Sequence, residues 1–197
     1  MILELAASKL PTVTEHLLST GLKEHFKKQE EAVQQILLGV LKSGSISLEE
    51  IAKKDNFIGS YYRIADAALK GVTNKNLRLM CKALRGGIEQ ELSDDKINTV
   101  LSIIADLSEE EILILAKFSE CKQKEIKDNS INAQKRLKDQ LTPVPYSADY
   151  LDAVLGRLLR TGLVIAKPGW EGLIMEPSPL LDQFITLAEL QAHNFTK

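Results

Sequence analysis

The side chains that could do chemistry are few in this chain of 197 residues: three histidines, two cysteines and several short runs of carboxylates. A metal centre needs such ligands on one helix face or in a short turn. His16 and His25 are separated by Gly21, and His193 lies far downstream, with neither His-Glu-x-x-His nor Glu-x-x-His anywhere. A phosphate-cradling loop needs spaced glycines ahead of a helix, followed by Lys and Ser or Thr. Gly86-Gly87 is the one glycine pair and has neither partner. Cys81 and Cys121 sit inside apolar helical patterns and read as small core residues rather than nucleophiles. Asp94-Asp95 and Glu109-Glu110-Glu111 fall at helix starts, where the macrodipole already favours negative charge. No catalytic residue, metal or cofactor is expected, and the chain does not read as an enzyme.

Composition narrows the classes further. The 25 basic and 27 acidic side chains leave a formal charge of −2, which gives the chain as a whole no attraction to nucleic acid. Two cysteines exclude a disulfide scaffold. A 44% hydrophobic content with 11 Gly and 6 Pro excludes collagen and extended disorder. No stretch approaches the roughly 18–20 apolar residues of a bilayer crossing, so no membrane partner is expected. The apolar start, Met1-Ile-Leu-Glu-Leu5, is broken by Glu4 and lacks the positive flank of a signal peptide, so a cytoplasmic protein is expected. Its excess of apolar side chains points either to self-association or to a helix threaded between domains. Charge is uneven: Glu89–Glu111 holds eight acids and one base, whereas Lys117–Lys138 holds seven bases and three acids. These blocks read as solvated helix faces, as mutual attractors, or, for the second, as a surface for an anionic partner.

The elements that would position these groups are nearly all helices. Capping boxes stand at Thr12-x-x-Glu15, Ser47-x-x-Glu50 and Ser108-x-x-Glu111, and Gly21, Gly71 and Gly162 stand where helices would end. Apolar residues at Leu22, Phe26, Val33, Ile36, Leu37, Val40 and Leu41 predict a long helix. Further helices are predicted over 48–54, 60–69, 74–84, 93–105, 109–127, 131–141 and 148–161. Leu163–Lys167 and Leu173–Glu176 predict a hairpin around Pro168-Gly-Trp-Glu-Gly172, and Ser178-Pro179 caps a final helix. Thr142-Pro-Val-Pro-Tyr146 reads as a stiff connector.

Two segments look like reading heads. Leu107–Phe118, a helix near 131–141, and Tyr150–Val164 with its "Leu-x-x-Thr-Gly-Leu-Val" run lead into the hairpin and last helix. This order resembles a winged-helix domain, which implies a third helix for the major groove and a hairpin for the backbone. Asp149 and Asp152 would repel phosphate there, ahead of Arg157 and Arg160, and Lys167 would be opposed by Glu171. Trp170 would either pack over its turn or serve as an aromatic anchor for a partner. The second segment, Ser47–Leu69, resembles a helix-turn-helix, with a turn at Asp55–Gly59. That resemblance implies nucleic-acid contacts from Ser60, Tyr61, Tyr62 and Arg63, extended by Lys70, Lys75 and Arg78, although two ordinary bundle helices explain the same letters.

Asn76-Leu-Arg-Leu-Met-Cys-Lys-Ala-Leu84, Asp106-Leu-Ser-Glu-Glu-Glu-Ile-Leu113 and Leu158-Leu-Arg-Thr-Gly-Leu-Val164 together resemble the abortive-infection alpha (Abi-alpha) type of helical protein. The resemblance implies a link with phage resistance and carries no catalytic residues. The expectation is a mainly α chain, with a helical bundle over 1–105 and a winged-helix-like domain with one short β-hairpin over 106–197. A non-enzymatic interaction or regulatory protein is expected, with a protein partner or self-association. A sequence-specific DNA-binding regulator using 47–70 is the alternative.

Overall fold

The computed structural model describes residues 14–42, 50–51, 54–128, 132–142, 145–169 and 172–190. Among them the chain forms eight α-helices and one antiparallel hairpin. The helices are α1 (Thr14–Lys42), α2 (Asp55–Leu69), α3 (Asn74–Glu89), α4 (Asp94–Asp106), α5 (Glu109–Asp128), α6 (Ala133–Leu141), α7 (Ala148–Leu158) and α8 (Pro179–Leu187). A 3-10 turn, Leu159–Thr161, prolongs α7, and strands β1 (Val164–Gly169) and β2 (Gly172–Pro177) precede α8. The strands pair from Val164↔Pro177 to Gly169↔Gly172.

Local signals account for most boundaries. Ser108 Oγ accepts from the Glu111 amide at 3.1 Å while Glu111 Oε2 accepts from the Ser108 amide at 2.9 Å, closing the capping box of α5. Ser178 Oγ caps α8 by accepting from Leu181 N, with Pro179 next. Gly71 and Gly162 take φ +84° and +72°, the left-handed geometry that ends α2 and the α7 extension. The boxes at Thr12 and Ser47 lie outside the described residues.

Three expectations need correction. Gly21 does not end a helix: α1 runs through it for 29 residues. A lone helical glycine costs only about 1 kcal/mol, which a helix already nucleated on both sides tolerates. Asp55–Gly59 is not a turn but the first turn of α2, which starts directly after an extended Lys54. An acidic residue at a helix N-terminus favours this, and no residue there forces a break. Finally, α3 continues past Leu84 through both glycines to Glu89.

That glycine pair is a packing device. A Cβ on Gly86 would stand 3.0 Å from the Leu187 carbonyl oxygen, and one on Gly87 would stand 2.6 Å from Ile97 Cγ1. Bare backbone on α3 therefore admits α8 on one side and α4 on the other. α3 also touches α1 and α2, which makes it the central helix. Buried side chains from Val33 on α1 to Leu190 after α8 form one cluster, continuous across Ile104, Leu107 and Ile112 where the two expected segments meet. Cys81 and Cys121 are buried in it as free thiols. Burial pushes the Cys81 thiol up to about 12, and burial pushes Cys121 up to about 11.

Two polar side chains hold α3 in place from inside. Asn76 is buried, and its Nδ2 donates to the carbonyls of Ile104 (3.2 Å) and Leu107 (2.6 Å) at the end of α4. Arg85 is 7% exposed and donates to the Val40 carbonyl of α1 at 3.1 Å and to the Glu189 carboxylate after α8. Arg85 thus ties α1 to the segment after α8 through α3.

Candidate functional site

α2 presents two kinds of surface beside its buried face. Ile64, Ala67 and Ala68 face the core, and Ser60 goes in with them, fully buried and donating to Asn98 Oδ1 of α4 at 3.3 Å. Ser60 is therefore a helix-packing residue rather than an outward contact. Tyr61 is half-buried against the core, its ring centroid 6.3 Å from Phe57 and 6.1 Å from Tyr62. Tyr62 is 67% exposed.

The cationic residues chosen from sequence do not all line one surface. Arg63 is exposed and donates to Ser102 Oγ at 3.3 Å. Lys70 pairs with Asp66 one turn back at 2.6 Å, and Lys75 pairs with Glu109 on α5 at 3.6 Å. Arg78 lines a groove of about 610 Å³ between α1 and α3 together with Lys82, Ile36 and Val40. Trp170 lies outside the described residues.

What does converge was not anticipated. Arg63 of α2 and Arg160 of the 3-10 turn line one open cleft of about 570 Å³, closed along one side by Asp95, Asn98, Ser102 and Asp106 of α4. A second hollow of about 420 Å³ shares Arg63, Ser102 and Asp106 and reaches Lys70 and Asp66. Two guanidinium and two carboxylate groups line this cleft, so it offers hydrogen bonds of both polarities and little net charge. No group of three or more metal-ligating side chains occurs among the described residues.

The remaining face of α2 is apolar and outward. Ile58 is 57% exposed and Leu69 44% exposed, with Tyr62 between them. Half-buried Ala65 completes the row, which runs along one side of the helix over three turns. The signal lay in the sequence as a four-three-four spacing, but assigning Ile58 to a turn hid it.

Around the hairpin, charges expected to face outward are engaged within the fold. Asp152 accepts from Gln134 Nε2 at 2.8 Å and pairs with Lys138 at 2.7 Å, while Gln134 Oε1 accepts from the Met175 amide of β2 at 2.8 Å. Asp152 thus anchors α7 to α6 and, through Gln134, to the hairpin, whereas Asp149 is exposed. Arg157 sits 3.7 Å from Glu111. Lys167 pairs across the strands with Glu176 at 2.7 Å, and Glu171 lies outside the described residues. The hydrogen bond from Lys167, with the nearby Lys122 charge, holds the Glu176 carboxyl below its ordinary range despite partial burial. Tyr150 donates to Glu110 and stacks on Tyr146 with ring centroids 5.6 Å apart. No helix among the described residues is long and apolar enough to cross a membrane. Comparison with protein-family models, with curated proteins and with solved structures yields no match for this chain.

Proposed function

We propose that the protein is a non-enzymatic interaction protein that engages another protein through α2. The observation that carries this reading is the row of Ile58, Tyr62 and Leu69 left exposed on a helix whose opposite face is fully packed. Scattered exposed apolar residues mean little, but a contiguous row flanked by polar groups is the character of a docking face. Tyrosine with aliphatic neighbours suits a partner surface better than it suits phosphate or base edges. The phage-linked setting implied by the Abi-alpha resemblance belongs to the same proposal, as does the winged-helix reading of the second half. Support for the latter is the order α5, α6, α7, hairpin, α8.

The test compares the full chain with an Ile58→Asp/Tyr62→Glu variant as immobilised baits against lysate from its own host. A protein retained by the first, competed by excess free chain and absent from the second is the expected result. Identical retained sets would overturn the reading.

One observation favours DNA binding as a second reading: Arg63 and Arg160, from the two head-like segments, line a single cleft. With Lys70, Lys75 and Arg157 each held by a carboxylate, this reading makes Arg63 and Arg160 the principal phosphate contacts. Arg63→Gln/Arg160→Gln should then flatten the salt dependence of duplex binding by roughly two contacts. An unchanged slope, or no binding at low salt, removes it.

A further inference from the structure

Opposite charges meet in ion pairs across much of this fold: Lys70 with Asp66, Lys75 with Glu109, Lys138 with Asp152 and Arg157 with Glu111. The cleft along α4 departs from that pattern. Arg63, Arg160, Asp95 and Asp106 all line its 570 Å³, yet among the described residues none of the four has an opposite charge within 4.0 Å. Asp95, Asn98, Ser102 and Asp106 follow at intervals of three, four and four, so they stand in one line along the wall. Arg63 reaches that line at Ser102, donating to its Oγ at 3.3 Å. At 1.5 Å of helix rise per residue, Asp95 lies about 10 Å from Ser102 on one side and Asp106 about 6 Å on the other. The cleft therefore holds its cations and its anions apart, at separations set by one rigid helix.

We infer that this cleft binds short peptides with free termini, the peptide carboxylate on Arg63 and Arg160 and its ammonium on a carboxylate of α4. A guanidinium holds a carboxylate through paired N–H donors, and an aspartate accepts from an ammonium. An extended chain advances about 3.3–3.6 Å per residue, so three residues reach from the Arg63–Ser102 contact to Asp95, and two reach Asp106. Asn98 and Thr161 line the same space and supply donors and acceptors for the peptide groups in between. The volume falls within the roughly 300–1,000 Å³ of small-ligand clefts. Its described lining holds no aromatic side chain to stack a nucleobase, and Asp95 and Asp106 repel phosphodiesters. The site uses no residue of the apolar row on α2 and does not rest on the docking reading.

Trialanine, whose only charges are its two termini, is the probe. Titrated into the isotope-labelled full chain, it should shift the amide signals of Asn98, Ser102 and Thr161 with a Kd of about 1 mM or tighter. N-acetyl-trialanine, without the ammonium, and trialaninamide, without the carboxylate, should each bind about tenfold or more weakly. Arg63→Gln/Arg160→Gln should weaken trialanine by the same factor and leave trialaninamide unchanged. Asp95→Asn/Asp106→Asn should weaken trialanine and leave N-acetyl-trialanine unchanged. All four side chains are exposed, so both double variants should stay folded, which the same amide spectra report. No shift of the cleft signals up to about 10 mM, where even a weak site fills, would overturn the inference. So would equal binding of the three peptides, or indifference to either double variant. A cleft that answers to duplex DNA and to none of the peptides would overturn it in favour of the phosphate reading.

Discussion

α2 and α3 lie against each other and depart from the apolar-inside pattern in opposite directions. α3 draws Asn76 and Arg85 into the core, while α2 leaves Ile58, Tyr62 and Leu69 in water. The two departures differ in what they cost. A buried polar group is expensive unless its hydrogen bonds are made, so Asn76 and Arg85 are tolerated only with the specific carbonyls and carboxylate they meet. An exposed apolar side chain costs folding almost nothing and forgoes only the burial it has yet to find. α3 is therefore where the fold is specified, and α2 is where it has stability to gain from association.

The sharpest way to break this contrast is Arg85→Ala, which would remove the guanidinium that joins Glu189 to the Val40 carbonyl and leave Glu189 to Lys82. A loss of about 3 kcal/mol in denaturant unfolding is expected, from the charge-assisted hydrogen bonds and the packing of the buried arginine stem. Asn76→Ala should cost about 2–3 kcal/mol, because two carbonyls at the end of α4 lose their partner in the core. Gly87→Ala tests close packing on the same helix. The new Cβ would meet Ile97 at 2.6 Å, and a net loss of about 1–2 kcal/mol is expected after the gain in helix propensity. Lys167→Met, on the hairpin, should cost less than about 1 kcal/mol at neutral pH. The sign of its pH dependence is fixed by the lowered Glu176 value: that stabilisation is present above the ordinary glutamate value of 4.5 and is lost as pH falls through the lower, folded value. Wild-type and variant unfolding curves should therefore converge in acid. Tyr62→Ser on α2 should change unfolding by no more than about 0.5 kcal/mol. A large loss there would mean that the row is held by this chain's own fold, and the contrast with α3 would disappear.

Local chemistry was legible from the letters. Ser108 with Glu111, Gly71, Gly162, Ser178-Pro179 and the β-branched run at Val164 each act within a few residues, and each stands where the spacing predicts. What was not legible acts across the chain. Nothing near Gly86-Gly87 in sequence announces Leu187 or Ile97, and the carbonyls that claim Asn76 lie about thirty residues away. Gly21 misled because a glycine stops a helix only when the chain beyond it has something better to do. The candidate site was half visible: Tyr62 and Arg63 were singled out, but their division between an apolar row and a polar cleft depends on which way α2 rolls onto the core. Ser60 pointed inward for the same reason, and the meeting of Arg63 with Arg160 needed the tertiary fold.

The clasp between Arg85 and Glu189 joins positions 104 residues apart. As the chain emerges from a ribosome, α3 is complete long before the helix that covers its glycine face exists. Until Leu181, Phe184 and Leu187 arrive, that strip of backbone has no cover and Arg85 has no carboxylate after α8 to meet. Messages truncated ahead of Ser178 would release chains with α3 open, good clients for chaperones and proteases. A protease probing α3 would thus distinguish chains that carry α8 from chains that stop before it.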